Sequence, residues 1–483
     1  MKLNILKTVV LAIGVSTAFV SCSDDFVETK FYQDVEQAPL TSLNEVEAFQ
    51  RGMYTSMRAT TYYGRDYTVY GEARSDEMYS NGYAGYFNTV YNYSMTSADA
   101  YARDTWAQIY TAVGKANILI NTDVNSITGS DADRKAVRYH IGQAHVLRAM
   151  FFFDLLKLYG QKYTGGNLGI VTPLKYDPKA LQGRGTIAEN EAQITTDFNA
   201  GLAMMQANNQ GITDRGTLTI NGAKAVMSRF FLYKKDYARV RTLTDEIIAS
   251  AQYQVIPAAS YAGSWESPKQ NNSIFELEVG VAGANGTNSL GYIYNYNGYG
   301  NIVVEPATYN SFASNDVRKD LMTYTDDEYY LYKYPSLEGA DNLKIVRFEE
   351  VLLNGVEAEL NGGSSDKALD YYKELLVNRL NPIQKLDGAG QPVFDPVTGA
   401  PVMVSAADQV AQITSINMVE LKKERSKELV GEGLRQWDLL RWGDAVPRPA
   451  GASTDIRLTA FPIPRAETDL AGTPIVANPG YDN

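Results

Sequence analysis

The stretch KKERSKELVGEGLRQWDLLRWG, Lys422 to Gly443, holds ten charged side chains, two tryptophans and an apolar stripe in 22 residues. If it forms one helix, four of its charges recur at intervals of three and alternate in sign: Glu432, Arg435, Asp438 and Arg441. A second face of that helix then carries the residues expected to be buried: Val430, Gly433, Leu434, Trp437 and Leu440. A charge ladder of this kind serves either as a catalytic carboxylate pair or as a set of structural ion pairs.

The spacing of the ladder favours structure over catalysis. Each candidate acid, Glu432 or Asp438, has an arginine three positions away on the expected helix. A neighbouring guanidinium lowers the pKa of a carboxyl group, whereas a general acid needs a raised pKa. We therefore interpret Lys422 to Gly443 as part of the scaffold, with no catalytic residue in it.

Length, composition and charge restrict the class of protein. The 483 residues suffice for one large domain or several smaller ones, and 45% apolar with 21% charged residues is typical of a globular chain. A net charge of −12 argues against a nucleic-acid partner. The two histidines, His140 and His145, lack the spacing of a metal site, and no nucleotide-binding or nucleophile motif is present. We expect no metal and no cofactor.

The amino terminus predicts export and lipid attachment. Residues 1–21 combine a short basic start with an apolar stretch that is too short to span a bilayer, as in a signal peptide. This segment ends at Cys22, the only cysteine, which predicts a lipoprotein signal whose cysteine becomes lipidated. Residues 22–40 are predicted to form an extended, lipidated tether, and residues 41–483 a single domain.

Apolar periodicity predicts a mainly α fold for that domain. The stretches 221–250 and 348–380 each predict a helix, a short polar turn and a second helix. Helix hairpins of this length are the unit of tetratricopeptide arrays. We expect an N-terminal helical half at 41–260, an irregular tyrosine-rich lobe at 261–340, and a C-terminal helical half at 341–483 with a hairpin insertion at 385–405.

Tyrosine is the unusual residue type in this chain, with 34 Tyr against 16 Phe and 4 Trp. Its ring offers a flat apolar face and a polar tip, which suits a wet binding surface. Two segments, EMYSNGYAGYFN (77–88) and GYIYNYNGYG (291–300), supply the candidate ligand contacts: Tyr79, Tyr83, Tyr86, Tyr292, Tyr294, Tyr296 and Tyr299. If the second segment is extended, Tyr292, Tyr294 and Tyr296 project from one side as a platform.

Three motifs together indicate a family. ERSKELVGEGLRQWDLLRWG (424–443), VLRAMFFFDLLKLYG (146–160) and FPIPRAETDLAGTPIVANPGY (461–481) occur in the order found in the SusD/RagB family of outer-membrane nutrient-binding lipoproteins, which this chain resembles. The resemblance implies four tetratricopeptide-like hairpins and an irregular lobe of loops and short strands that carries the ligand site. It also implies a lid on a SusC-like TonB-dependent transporter, which receives captured oligosaccharides. Catalysis is not expected.

The resemblance adds a candidate residue and a location. Asp76 lies in a loop where family members often place ligand residues, and Arg74 is its possible companion. The acidic residues after Cys22 resemble the signal that sends lipoproteins to the outer face of the outer membrane. We therefore expect a lipid-anchored protein that faces the cell exterior.

Three other hypotheses remain open at this stage. In the first hypothesis the protein binds a peptide, as in the RagB-like branch of the family. A surface glycoside hydrolase would need two facing carboxylates, for example Asp76 or Glu77 opposite Glu305 or Asp316. An interaction module would use the helical array to bind another protein. The acidic run Asp326 to Glu328 predicts a solvated loop rather than a calcium site, because consecutive residues do not converge on one ion.

Overall fold

A computed structural model of the protein describes residues 38–481. The predicted signal peptide, Cys22 and nearly all of the predicted tether lie outside the described residues. From Thr41 onward the chain forms one compact unit. No helix in residues 38–481 has both the length and the apolar character needed to cross a bilayer.

Helices dominate the described chain, as predicted. In chain order they are α1 (Leu43–Met57), α2 (Asp66–Ala73), α3 (Asn88–Tyr91), α4 (Ala100–Ile120), α5 (Asp131–Tyr159), α6 (Ile187–Ala207), α7 (Ile220–Tyr233), α8 (Tyr237–Ala249), α9 (Leu290–Tyr294), α10 (Pro306–Asn310), α11 (Phe348–Leu360), α12 (Ser365–Leu376), α13 (Ala406–Ala411), α14 (Met418–Leu429), α15 (Arg435–Trp442) and α16 (Arg465–Thr468).

Local sequence fixes where the long helices begin. Ser42, Ser130 and Thr186 each start a helix with a capping box. The side-chain oxygen of the cap residue accepts from the N–H of the third helical residue, and the acidic side chain of that residue accepts from the backbone N–H of the cap residue. Helix α5 is apolar on nearly every side from Val146 to Leu156, and the structure buries it in the centre.

The long helices form an array of antiparallel hairpins. Helix α1 packs on α4, α5 on α6, α7 on α8, and α11 on α12; α5 also contacts α4, and α8 contacts α11. The stretches 221–250 and 348–380 form two of these hairpins, as the apolar spacing predicted. The mainly α, tetratricopeptide-like prediction is confirmed.

Short strands are concentrated in and around the irregular lobe. They are β1 (Met78–Ser80), β2 (Ser273–Leu277), β3 (Ile302–Val304), β4 (Met322–Thr325), β5 (Glu328–Leu331), β6 (Leu343–Arg347), β7 (Ile383–Gln384) and β8 (Met403–Val404). One antiparallel sheet has the order β1-β3-β5-β4, while β2 pairs with β6 and β7 with β8. The four-stranded sheet joins residues near 79 to residues near 303 and 329, which places the two tyrosine segments side by side.

The signature stretch is not one helix, so this prediction is wrong. Helix α14 ends at Leu429 and α15 begins at Arg435. Gly431 and Gly433 between them have φ values of +81° and +80°, a left-handed conformation that glycine adopts without strain. A Cβ on Gly433 would lie 2.8 Å from the Cα of Thr68, so the turn also requires close backbone approach.

The break in the helix changes the roles of the signature residues. Glu432 leaves the expected ladder, and only Asp438 and Arg441 keep the three-residue pairing, with 2.8 Å between Arg441 Nη2 and Asp438 Oδ1. Leu434 and Leu440, which were expected to be buried, are only half-buried.

Candidate functional site

The signature carboxylates are enclosed by cations. Glu428 accepts from Arg318 Nη1 at 3.1 Å, from Arg347 Nη1 at 3.0 Å and from Arg379 Nε at 2.8 Å. Burial alone raises the pKa of Glu428, but the surrounding guanidiniums of Arg379, Arg347 and Arg318 hold that pKa well below its usual range. Glu432 accepts in turn from Arg347 and from Lys333 Nζ, at 2.7 Å each. These groups join α14 to the strands and helices around it.

A second buried group links α15 to α11. Asp438 accepts from Arg425 Nε at 2.5 Å and from Arg441 Nε at 2.9 Å, and Arg441 Nη2 also donates to Glu357 at 2.7 Å. Burial opposes ionisation of Asp438, but Arg425 and Arg441 keep its pKa below the usual range. Neither Glu428 nor Asp438 has the raised pKa that a general acid needs. Both carboxylates therefore serve as structural ion partners, which agrees with the interpretation of this stretch as scaffold.

Asp76 and Arg74 have structural partners. Both oxygens of Asp76 accept from Arg435, Oδ1 from Nε at 2.6 Å and Oδ2 from Nη2 at 2.8 Å. Arg74 is buried, donates to the carbonyl of Val90 at 2.8 Å, and lies over the rings of Tyr93 and Phe461. Asp76 keeps an exposed edge, whereas Arg74 does not reach a ligand.

A single asparagine shapes the first tyrosine loop. The side-chain oxygen of Asn301 accepts from the N–H of Ala84 at 3.0 Å and of Tyr86 at 3.2 Å. Its Nδ2 donates to Ser80 Oγ at 2.8 Å and to the Tyr86 carbonyl at 2.9 Å. Asn301 is fully buried and directly follows the second tyrosine segment, so it fixes one segment against the other.

Three predicted tyrosines form one ring cluster. The Tyr86 and Tyr299 rings are 4.7 Å apart and tilted by 36°, and the Tyr292 ring meets Tyr299 edge-on at 4.7 Å. Hydrogen bonds with Tyr86 and Thr287 lower the pKa of Tyr299. Arg65 lies 5.3 Å below the Tyr86 ring. Tyr86, Tyr292 and Tyr299 are all partly exposed, so part of each side chain is open to solvent.

A second tyrosine cluster surrounds Glu328. The Tyr330 hydroxyl donates to Glu328 Oε2 at 2.9 Å, and Asn81 Nδ2 donates to the same oxygen at 2.7 Å. The Tyr296 ring packs edge-on against Tyr330 at 5.2 Å, and its hydroxyl donates to Asp326 at 2.9 Å. Glu328 and Tyr330 are buried, so the groups that this cluster exposes are the Tyr296 ring and the Asp326 carboxylate.

Tyr79 and Tyr83 extend this second cluster. Tyr83 is 75% exposed, and its N–H donates at 3.1 Å to Oδ1 of Asn81, the residue that donates to Glu328. Burial and the charges of Glu328 and Glu305 raise the pKa of Tyr79 to about 12. We call Tyr79, Tyr83, Tyr86, Tyr292, Tyr296 and Tyr299 the tyrosine surface.

The predicted platform of alternate tyrosines is wrong. Ser289 caps the one-turn helix α9, accepting from the N–H of Tyr292 at 3.2 Å, so the segment is helical where extended backbone was expected. Tyr294 is fully buried and its hydroxyl donates to the Gly431 carbonyl at 3.3 Å. Tyr294 therefore packs against the signature turn and is not a ligand contact.

The acids considered for hydrolysis do not all converge. Asp316 is buried and bound to Arg318, and Glu77 is buried with 3.2 Å between its Oε1 and Arg435 Nε. Glu305 is half-buried, and burial followed by the charge of Asp76 raises its pKa. Asp76 and Glu305 are therefore the one pair of these four acids that stays near the tyrosine surface.

The remaining polar candidates have ordinary roles. Asp326 and Asp327 form the tight turn between β4 and β5, with φ values of +48° and +64°. His145 pairs with Asp197 at 2.8 Å, and His140 with Gln143 at 2.9 Å. In the described part of the chain, no three His, Cys, Asp or Glu side chains are grouped to hold a metal ion.

Sequence reasoning missed Tyr330, Asn301 and Asp326. Tyr330 belongs to the pair Tyr329-Tyr330 that directly follows the acidic run Asp326 to Glu328, a local signal that was present in the sequence. Asn301 acts through contacts with residues more than 200 positions away, which no local pattern reveals.

Two family models match the chain. A model described as "Starch-binding associating with outer membrane" matches residues 25–232, and the SusD family model matches residues 321–457. Together they cover well over half of the sequence. The chain therefore belongs to the SusD family.

Solved structures share this fold. A SusD superfamily protein from Bacteroides thetaiotaomicron is 24% identical, with 91% of this chain and 100% of that chain covered and a TM-score of 0.76. One from Bacteroides vulgatus is 25% identical, with 92% and 100% covered and a TM-score of 0.76. Surface glycan-binding protein A from B. thetaiotaomicron, in complex with laminarihexaose, is 19% identical, with 91% and 100% covered and a TM-score of 0.68. No curated protein sequence matches the chain.

Proposed function

We propose that the protein captures glycans at the cell surface through the tyrosine surface and passes them, uncleaved, to a SusC-like TonB-dependent transporter. The observation that carries this proposal is the pair of partly exposed tyrosine clusters, one around Tyr299 and one that exposes Tyr296 beside Glu328, on segments that the four-stranded sheet joins. A pyranose presents an apolar C–H face to such rings, while its hydroxyls bond to carboxylate and amide groups.

Membership of the SusD family supports the proposal, as does the relative solved with laminarihexaose. The description of the first family model associates such proteins with the outer membrane. For this chain we propose a lipid anchor at Cys22 and an orientation towards the cell exterior. A Cys22→Ser variant should no longer incorporate labelled palmitate and should leave the membrane fraction; unchanged labelling would exclude this anchor.

Native affinity electrophoresis tests glycan capture directly. The purified chain is run through gels that contain plant, host or microbial polysaccharides, and released sugars are measured after incubation. Retardation by one polysaccharide without released sugar supports capture. Released sugar would make the protein a hydrolase and direct attention to Asp76 and Glu305. Retardation by none would favour the peptide or protein-partner hypotheses.

Variants locate the site. Tyr83→Ala and Tyr296→Ala remove rings that are 75% and 41% exposed, so the fold should be retained. Loss of both stacking contacts should weaken binding by roughly 1–3 kcal/mol, or about 5- to 150-fold. Tyr176→Ala removes a ring of similar exposure, 49%, outside the tyrosine surface and should bind as the parent does. Equal binding by all three variants would exclude this location.

The transporter requires its own test. The protein, co-expressed with a SusC-like transporter in a Bacteroides host, should co-purify with that transporter from detergent extracts. Absence of any co-purifying outer-membrane protein under conditions that preserve glycan binding would contradict the partnership.

A further inference from the structure

A recess between α5, α7 and α15 lies within the helical array and is lined by residues outside the tyrosine surface. It has about 430 Å³ of empty volume and is lined by four cationic side chains, four aromatic rings and a single carboxylate. The charged members are Lys157, Arg229, Arg425, Arg441 and Asp438. No part of the proposed glycan capture uses this recess.

Lys157 has more donors than acceptors. Its ammonium carries three N–H donors, and within residues 38–481 its one acceptor is Asp154 Oδ1 at 3.1 Å. Asp154 is already shared with the hydroxyls of Tyr62, Tyr63 and Tyr67. The ammonium also lies over the rings of Phe153, Tyr67 and Trp437, at 4.5, 5.3 and 5.5 Å from their centroids, but no second oxygen in the described chain accepts from it.

Two arginines also have more N–H donors than acceptors. Arg229 uses Nε and Nη2 on Glu350 and on the Ile345 carbonyl, and Nη1 meets no acceptor in the described chain. Arg425 uses Nε on Asp438 and Nη1 on Asn354, and Nη2 is without an acceptor among residues 38–481. Each of these cations has one face fixed by the scaffold and one nitrogen still free to donate.

A second recess continues the first. It has about 390 Å³ of empty volume, and Lys157, Arg229 and Leu434 line both. Lys344 on β6 lines this second recess; its ammonium makes no hydrogen bond or ion pair within the described residues and lies 4.8 Å from the Trp265 ring centroid. It adds a fifth cation to the combined lining, and Glu432 adds a second carboxylate, which is already bound to Lys333 and Arg347.

The chemistry of the lining favours an anion. A buried donor without an acceptor costs about 1–3 kcal/mol, and more when the donor is charged. Charge-assisted bonds to an oxyanion are stronger than bonds to water or to a neutral hydroxyl, most of all where water is scarce. We propose that this recess binds a small oxyanion, a phosphate, sulfate or carboxylate group, through Lys157, Arg229 and Arg425.

Calorimetric titration of the purified protein with inorganic phosphate tests the proposal, with sodium chloride at equal ionic strength as the reference titrant. We expect saturable binding of one phosphate, weakened at least tenfold by Lys157→Met. Lys115→Met removes another partly buried lysine, one that donates to Gly52 and Ser56 on α1 away from the recess, and should leave phosphate binding unchanged. Equal weakening in both variants, or no saturable binding, would overturn the proposal.

A second measurement uses the unmodified protein, so misfolding of a variant cannot affect its result. Crystals of the unmodified protein soaked in selenate should show anomalous difference density beside Lys157 and Arg425. Density only at other positions would refute the site. Separate titrations with sulfate and acetate then show whether tetrahedral or planar oxyanions bind more tightly, and a preference of tenfold either way would name the physiological class.

Discussion

Glu428 and Arg379 form a two-point ion pair with no exposure on either side: Nε donates to Oε2 at 2.8 Å and Nη2 donates to Oε1 at 3.0 Å. Arg318 and Arg347 approach the same carboxylate. One carboxylate thus contacts cations from three separate parts of the chain, and Asp316, Glu349 and Glu424 share in balancing their charge. The signature stretch therefore holds these three parts of the fold together.

Glu428→Gln should destabilise the protein by about 3–5 kcal/mol, because it removes the buried carboxylate that Arg318, Arg347 and Arg379 share. Urea denaturation gives the change in the free energy of unfolding. Glu47→Gln, which removes an exposed helix partner of Arg51 at 3.7 Å, should cost less than about 1 kcal/mol. A cost for Glu428→Gln no larger than that of the control would contradict the central role of Glu428.

Glu72 should make stability fall as pH rises towards neutrality. Burial chiefly raises its pKa to about 7, against the opposing N–H groups of Gly431 and Gly433 and the charge of Lys333. A carboxyl pKa raised above its unfolded value of about 4.3 stabilises the fold below that value, and this contribution is lost as pH rises through the folded pKa.

Glu72→Gln should therefore flatten the dependence of unfolding free energy on pH between about pH 4 and pH 7. The parent slope from one such group reaches at most about 1.4 kcal/mol per pH unit. Glu77, whose pKa is raised by burial and by Glu72, should retain part of the slope in the variant. An identical slope in parent and variant, measured by urea denaturation at each pH, would show that Glu72 does not titrate in this range.

Asn301→Ala should weaken glycan binding although Asn301 is fully buried and cannot touch the ligand. Four hydrogen bonds to the first tyrosine loop are lost, so Tyr83 and Tyr86 no longer hold one position. We expect at least a tenfold rise in Kd and a stability cost of about 1–3 kcal/mol. The matched control is Asn297→Ala, an exposed asparagine in the second segment. If the Asn301→Ala variant bound glycan as tightly as the parent does, order in the first tyrosine loop would not be needed for glycan capture.

Tyr294→Ala should cost about 3–5 kcal/mol of stability, because it removes a fully buried ring. Tyr294→Phe keeps the ring and loses only the bond to Gly431, so about 1 kcal/mol or less is expected. Both costs are read from thermal or urea unfolding. If Tyr294→Phe abolished glycan binding in a stably folded protein, the assignment of Tyr294 to packing would be wrong.

Gly433→Ala should be far more costly than Gly443→Ala. Both residues have positive φ, +80° and +78°, so both variants carry the same backbone strain of about 1 kcal/mol. Only at Gly433 would the new Cβ also meet backbone, at 2.8 Å from Thr68 Cα; around Gly443 the space is open. Equal unfolding free energies for the two variants would show that the turn can move away from α2.

Sequence predicted the helices well where apolar spacing is regular. The hairpins α7–α8 and α11–α12 follow from local periodicity, because each buries one face of a long helix. The signature helix failed because two glycines, Gly431 and Gly433, outweigh the helical spacing of their neighbours. That break could have been suspected from the Gly-x-Gly pattern, but the contact with Thr68 that requires it is a tertiary feature.

The binding residues were predicted in type more than in arrangement. Tyrosine enrichment identified two segments that the structure brings together, yet the same pattern misplaced Tyr294. Whether 291–300 is extended or helical depends on the Ser289 cap and on the chain folding back, where Tyr299 N–H donates to the Tyr292 carbonyl at 2.7 Å. Asp76 illustrates a further limit, because its partner Arg435 lies 359 residues away.

The position of Glu428 also sets an order of events during synthesis. A chain made from its amino terminus exposes Arg318, Arg347 and Arg379 long before their shared carboxylate exists. Until α14 emerges, Asp316 pairs with Arg318 and Glu349 pairs with Arg347 and Arg379, but neither acid contacts all three arginines. A product truncated before Glu428 therefore carries most of the array and the tyrosine surface, but lacks the carboxylate that ties the three arginines together.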